Sequence, residues 1–220
     1  MIITNTPQKT LAKAVELKGI GLHSGKAIDL VLKPAAADCG FVFVRTDLDP
    51  QVEIPALAQY VSKTDRGTTL SVEGVDVQTT EHVLAALVGC GINNCRIELN
   101  GAEVPILDGS SKPFVEAIQT AGIQDQEAQQ EIFVVQENIH ITDEASGSEI
   151  LIVPAESTSL TVLIDFETKV LGTQNAVLHK MEDFPSEIAS SRTFSFLHEL
   201  ETLLEQNLIK GGDLNNAIVY

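Results

Sequence analysis

The chain is short of cysteine, of basic residues and of long apolar runs, and each shortage removes a class of protein. Its three cysteines, Cys39, Cys90 and Cys95, are odd in number and fall in no paired spacing. Neither a disulfide framework nor a cysteine zinc site is suggested, and they read as small buried hydrophobes. Lysine and arginine together number 14 against 31 acidic residues, a formal net charge of -17. A field of that sign argues against nucleic acid or an anionic membrane surface as the main partner. An anionic small molecule stays compatible, because a helix N-terminus or a few gathered cations can hold a phosphate locally. No apolar run reaches the roughly 18 residues of a membrane span, and there are no Ser, Gln or Pro tracts. The start, Met1 to Thr6, lacks a basic region and an apolar core of signal-peptide length, so a soluble cytoplasmic protein without an integral membrane segment is expected. What is present is 220 residues, 44% hydrophobic and 20% charged, enough for one large domain or two small ones with real cores.

Alternation predicts strands at Thr10 to Leu17 and Ala27 to Lys33 around the glycine-bounded turn Gly19 to Gly25. Further strands are expected at Gly40 to Arg45, Thr68 to Val72, Val75 to Gln78 and Asn94 to Leu99. Between the last two, Val83, Leu84, Ala86, Leu87 and Val88 recur at helical steps, with Thr79 or Thr80 as the cap. A loop over 100–112 leads to a second helix from Pro113. The polar run Gln124 to Glu131 has no apolar period and is the best boundary candidate. It divides residues 1–125 from residues 126–220. Beyond it, Ile132 to Ile141, Ile150 to Val153, Leu160 to Phe166 and Asn216 to Tyr220 read as strands and Phe194 to Leu204 as a helix. Strands first and helices later in each half indicate an α+β fold of two two-layer α/β sandwich domains. The last residues, Ala217 to Tyr220, are apolar with no polar tail, which reads as C-terminal truncation of the second domain.

Glu81-His82 is the most suggestive pair, because it falls in the first turn of a helix. The dipole there favours an ionised Glu and a neutral His. A neutral imidazole can ligate zinc, and a carboxylate about 100° round the helix can reach a bound water as general base. A Glu in a first turn is also ordinary helix design. Asp108-Gly109-Ser110-Ser111 reads as an Asx turn or helix cap. His23 could orient a ligand or simply decorate a hairpin turn, and Thr193 could place a hydroxyl near a carbonyl or cap the following helix. Lys210-Gly211-Gly212-Asp213 lacks the context of a phosphate loop and reads as a turn. His140, His179 and His198 are isolated, and surface positions are expected for them.

Taken in order, Gly19-Ile20-Gly21-Leu22-His23-Ser24-Gly25, Arg45-Thr46-Asp47-Leu48, Thr80-Glu81-His82-Val83-Leu84-Ala85-Ala86-Leu87, Pro105-Ile106-Leu107-Asp108-Gly109-Ser110, Ser191-Arg192-Thr193-Phe194 and Lys210-Gly211-Gly212 resemble one family, UDP-3-O-acyl-N-acetylglucosamine deacetylase, or LpxC. The resemblance covers nearly the whole chain. It implies two α/β sandwich domains with the active site between them, and zinc-dependent hydrolysis of the N-acetyl group of a UDP-sugar acyl substrate, the committed step of lipid A synthesis. Position by position it implies Glu81 as general base, His82 as the first zinc ligand, and Thr193 as the hydroxyl on the oxyanion. It further implies His23 and Asp108 around the cleft, and Phe166 against the sugar or nucleotide. Phe194, Leu197, Leu200, Ile209 and Leu214 would line an apolar passage for the acyl chain.

The departures are as specific. The family's remaining zinc ligands, in a His-Lys-x-x-Asp helix, and a later catalytic His in a Gly-His motif have no counterpart in residues 1–220. The resemblance therefore implies half a site. The alternative is a truncated or non-catalytic scaffold without a complete metal site. Asp165-Phe166-Glu167-Thr168 replaces the His-Pro that often follows the aromatic, and the turn 143–149 lacks a basic residue used near the nucleotide in some members. Some relatives of this kind are fused to a hydroxyacyl-carrier-protein dehydratase domain.

Overall fold

The computed structural model describes residues 2–206 and 208–220. A mixed polar and apolar opening gives β1 (Ile2–Leu11), β2 (Val15–Ile20) and β3 (Ala27–Pro34). β4 (Phe41–Arg45) and β5 (Val52–Pro55) follow, then the small antiparallel sheet of β6 (Val61–Lys63), β7 (Thr69–Val72) and β8 (Val75–Val77). Next come α1 (Glu81–Gly89), β9 (Cys95–Leu99) and α2 (Lys112–Ala121).

Period-two alternation builds the main sheet, whose strand order is β2-β3-β9-β4-β5. Ile28, Leu30 and Leu32 of β3 and Cys95, Ile97 and Leu99 of β9 are buried, and the register sets Leu32 beside Ile97 and Ile97 beside Phe43. Within this sheet β4 and β9 run parallel and the other pairs antiparallel. The two helices supply the second layer. α2 buries Phe114, Val115, Ile118 and Ala121, one stripe at helical spacing, and stops at Gly122 with φ of 76°. α1 contributes Val83, Ala86 and Leu87 to the same core.

The second half begins with β10 (Ile123–Ile132), followed by the hairpins β11 (Ile139–Asp143) with β12 (Ser148–Ile152) and β13 (Leu160–Asp165) with β14 (Thr173–Leu178). The one-turn α3 (Phe184–Glu187) docks on α1: a Cβ at Gly89 would stand 2.1 Å from the Phe184 ring. Leu178, Phe184 and Ala189 thereby join the core of the first half. The chain closes with β15 (Phe194–Ser195), α4 (Leu197–Glu205) and β16 (Ile218–Val219), the two strands pairing in parallel across the helix between them.

Five sequence expectations change, one of them the strand expected over Ile132 to Ile141, which is interrupted at residues 133–138 between β10 and β11. The strand expected over Thr10 to Leu17 is two strands, parted by a bend after Leu11. The polar run 124–131 is β10, antiparallel to β1, so residue 125 lies within a strand. Its glutamines serve a buried network in which Asn94 Nδ2 donates to Gln8 Oε1 and Gln126 Oε1, both at 2.8 Å. The last helix starts at Leu197, because Phe194 and Ser195 are committed to β16. The closing strand is only Ile218–Val219.

Candidate active site

The three-stranded sheet delivers the chain into α1 through a kink. Thr79 has φ of 57°, and the Thr80 hydroxyl donates to Thr68 O at 3.2 Å instead of capping the helix. The expected threonine cap is therefore spent on the neighbouring strand. Glu81 follows in the first turn, and its Oε2 accepts the Thr68 N–H at 2.9 Å. That bond orients the carboxyl group at the entry to the helix. His82 is half-buried, and burial pushes its pKa down against the opposing pull of the Glu81 and Asp108 charges. Its ring is accordingly neutral at pH 7 and keeps a lone pair free for an electrophile.

Asp108 stands in the loop before α2. Its Oδ1 accepts Ser110 N–H at 2.9 Å and Ser110 Oγ–H at 2.7 Å, the Asx turn its spacing indicated. Two residues on, Ser111 Oγ donates to His82 O at 3.0 Å and ties the loop to α1. On its other side the loop meets the second half. Thr193 N–H donates to Gly109 O at 2.7 Å, and Arg192 Nε donates to Asp108 O at 2.7 Å. Gly109 is required here: φ is 83°, and a Cβ would stand 2.0 Å from Asn216 O. Thr193 caps nothing, since α4 begins four residues later.

The Gly21–Gly25 turn meets the Lys210–Gly212 turn backbone to backbone. Gly211 N–H donates to Leu22 O at 2.9 Å, and a Cβ at Gly211 would lie 2.3 Å from Gly21 O. Beside this contact is an apolar cavity of about 300 Å³. His23, Thr193, Phe194, Leu200, Ile209 and Leu214 line it. Leu197 is not among them and is 69% exposed at the start of α4. Phe166 also stays off the cavity wall and packs edge-to-face on Phe194, with ring centroids 5.4 Å apart.

The sequence pattern of the family described as UDP-3-O-acyl N-acetylglycosamine deacetylase, LpxC, matches residues 8–220. The chain belongs to the LpxC family. It is 46% identical over 213 residues to the UDP-3-O-acyl-N-acetylglucosamine deacetylase of Myxococcus xanthus, covering 96% of this chain and 67% of that protein. It is 44% identical over 212 residues to the bifunctional enzyme LpxC/FabZ of Bacteroides thetaiotaomicron, covering 96% of this chain and 46% of that protein. A second LpxC/FabZ enzyme, from Chlorobaculum tepidum, is 44% identical over 213 residues with the same coverage. The chain thus spans about half the length of these bifunctional relatives.

LpxC proteins are zinc enzymes, and the half-buried, neutral His82 suits the role of one ligand. Among the described residues, however, no three His, Cys, Asp or Glu side chains converge as a metal cluster. The residues present thus fit one corner of a zinc site and do not make the whole. No helix is long and apolar enough to cross a membrane.

Five of the six motifs read from sequence are joined by direct backbone or side-chain contacts, all but Arg45 to Leu48, and three further residues beside them were not legible. Thr68 touches Glu81, Arg66 lines the cavity and pairs with Glu199 of α4, and Glu103 bonds the His23 turn. Each acts on a backbone or a charge distant in sequence, so no local spacing marks it.

Proposed function

We propose that the complete gene product hydrolyses the N-acetyl group of UDP-3-O-acyl-N-acetylglucosamine, giving acetate and the free amine, the committed step of lipid A synthesis in the cytoplasm. Two sandwich domains meeting at this site are part of the same reading. The observation that carries it is convergence: the helix entry bearing Glu81 and His82, the Asp108 loop, Thr193 and the His23 turn are joined by direct hydrogen bonds beside one apolar cavity.

Glu81, oriented by Thr68 N–H, takes a proton from water as the water oxygen adds to the acetamide carbon. The carbonyl oxygen becomes an oxyanion, to which the Thr193 hydroxyl donates. When the C–N bond breaks, the proton held by Glu81 passes to the departing nitrogen, leaving a free amine and acetate. Zinc, when bound with His82 as one ligand, supplies a water of lowered pKa and positive charge near the oxyanion. The cavity takes the acyl chain along the apolar part of its wall, Phe194, Leu200, Ile209 and Leu214. Phe166, behind Phe194, faces the sugar or nucleotide part.

The test follows acetate release from the acylated UDP-sugar by the complete gene product, with bound zinc assayed in parallel. Glu81→Ala is expected to lower kcat by about 10²-fold to 10⁴-fold with zinc retained. Full activity in that variant removes Glu81 as the base. Absence of acetate release by the wild-type, zinc-loaded protein overturns the function.

A further inference from the structure

Glu103 is a buried carboxylate that no step above uses. It is 1% exposed, and among the described residues no Lys, Arg or His forms an ion pair with it. Burying a carboxylate without a counterion is unfavourable unless its oxygens are filled by donors. The donors come from two separate segments. Oε1 accepts His23 N–H at 2.8 Å and the Thr79 hydroxyl at 3.3 Å, and Oε2 accepts Ser24 N–H at 2.9 Å.

The surrounding backbone is built round this side chain. Gln78 N–H donates to Ala102 O at 2.9 Å and Val104 N–H to Gln78 O at 3.0 Å, bracketing Glu103 beside the residue that precedes Thr79. Ile106 N–H donates to Ile20 O at 2.9 Å, holding the same segment to the start of the His23 turn. At Gly21 a Cβ would stand 2.2 Å from Glu103 Oε2, so the turn is wrapped directly on the carboxylate. A residue serving only to fill space would have no need of charge here, since the neighbouring Val104 and Ile106 are apolar and equally buried.

His23 itself is weakly held by its ring. Nε2 is buried with no hydrogen-bond partner, and Nδ1 is 3.5 Å from Ile209 N. Its place on the cavity wall is thus fixed from the backbone, through the amide that Glu103 binds. We propose that Glu103 is a positioning residue that acts through His23, locking the glycine turn so that the imidazole faces the acylated substrate, while its bond to Thr79 sets the same turn against the entry to α1. Rigid placement of binding groups by a buried, hydrogen-bonded shell is a general requirement of such sites. This inference rests on the deacetylase reading for its consequence in turnover, but not for the geometry it assigns.

The experiment compares wild type, Glu103→Gln, His23→Ala and the double variant in the complete gene product, measuring kcat, KM, bound zinc and thermal midpoint. Gln retains the volume of Glu, but one of its two terminal groups is a donor facing a donor. Glu103→Gln is expected to raise KM at least fivefold with a smaller change in kcat and no loss of zinc. In the His23→Ala background the same substitution is expected to change KM less than twofold, because the group it positions is gone. Multiplicative effects of the two substitutions, or an unchanged KM in Glu103→Gln, overturn the proposal. The second readout is independent of turnover: amide proton resonances of His23 and Ser24 in residues 1–220, expected downfield in wild type and shifted upfield in Glu103→Gln. Unmoved resonances overturn the proposal even if KM changes. Wild-type protein without acetate release overturns the deacetylase reading alone, and the resonances still decide whether Glu103 holds the turn.

Discussion

Single residues in this molecule do work that composition does not advertise. Gly109 is the sharpest case, since it has φ of 83° and a Cβ there would meet Asn216 O at 2.0 Å. Its carbonyl also receives Thr193 N–H at 2.7 Å, so an altered loop displaces the candidate oxyanion donor. Gly109→Ala is expected to lower stability by about 2 kcal/mol or more, from positive-φ strain and the forced separation of two backbones. Urea denaturation followed by circular dichroism checks this, and a midpoint within error of wild type would contradict it. Such residues are only half legible in sequence. The spacing of Asp108 to Ser110 identified an Asx turn, and the structure contains it, but the partner that makes Gly109 indispensable lies more than a hundred residues away. The same holds for Glu103, which looks like any acidic loop residue until the His23 turn folds over it.

At the scale of elements, apolar periodicity was a reliable guide and polarity was not. α1, α2, β3, β4 and β9 lie where their patterns place them, because each buries one face in a common core. β10 escaped notice because its inward residues are Gln126, Ala128 and Gln130, and the two glutamines bond Asn94 and the carbonyls of Ala35 and Pro7 instead of packing as hydrocarbon. β14, Thr173–Leu178, is mostly polar and exposed and gave no signal either. For α4 the helical period was right and the start was wrong, since β15 takes two residues that hydrophobicity alone assigns to the helix.

The position of α4 also rests on charge. Glu199, in its first turn, pairs with Arg66 and accepts Phe196 N–H at 3.1 Å and Ser195 Oγ–H at 3.3 Å. These donors, Arg66 foremost, hold its carboxyl down at about 2 instead of the usual 4.5. A depressed carboxylate pKa gives stability that is present above the unfolded value and lost as pH falls through the folded one. The window is therefore from about pH 4.5 down to about pH 2. Amide hydrogen exchange in α4 is expected to accelerate across that range in wild type and to be fast and nearly pH-independent, after intrinsic correction, in Glu199→Gln. Identical profiles for the two proteins would mean that the pair does not anchor the helix. Because Arg66 is the ion-pair partner of Glu199, Arg66→Ala should loosen α4 in the same way at neutral pH.

The whole molecule sets a limit that neither residues nor elements set alone, and it concerns the metal. A catalytic zinc centre takes three protein ligands and one exchangeable position. His82 suits one of them by its partly buried, neutral ring, and Glu81, the proposed base, is engaged with Thr68. Asp108 is close enough for its charge to act on His82, yet its Oδ1 is occupied by Ser110. Among the described residues no third group joins them. Residues 1–220 prepared alone are accordingly expected to retain well under one zinc per chain after dialysis, and to lose it readily to a mild chelator. The complete gene product is expected to hold one zinc, and Glu81→Ala in it to hold one as well, because the base is not a ligand. Metal analysis by mass spectrometry distinguishes these cases. One tightly held zinc in residues 1–220 would show that this segment assembles a full ligand set, and the division of labour between His82 and Glu81 would then have to be redrawn.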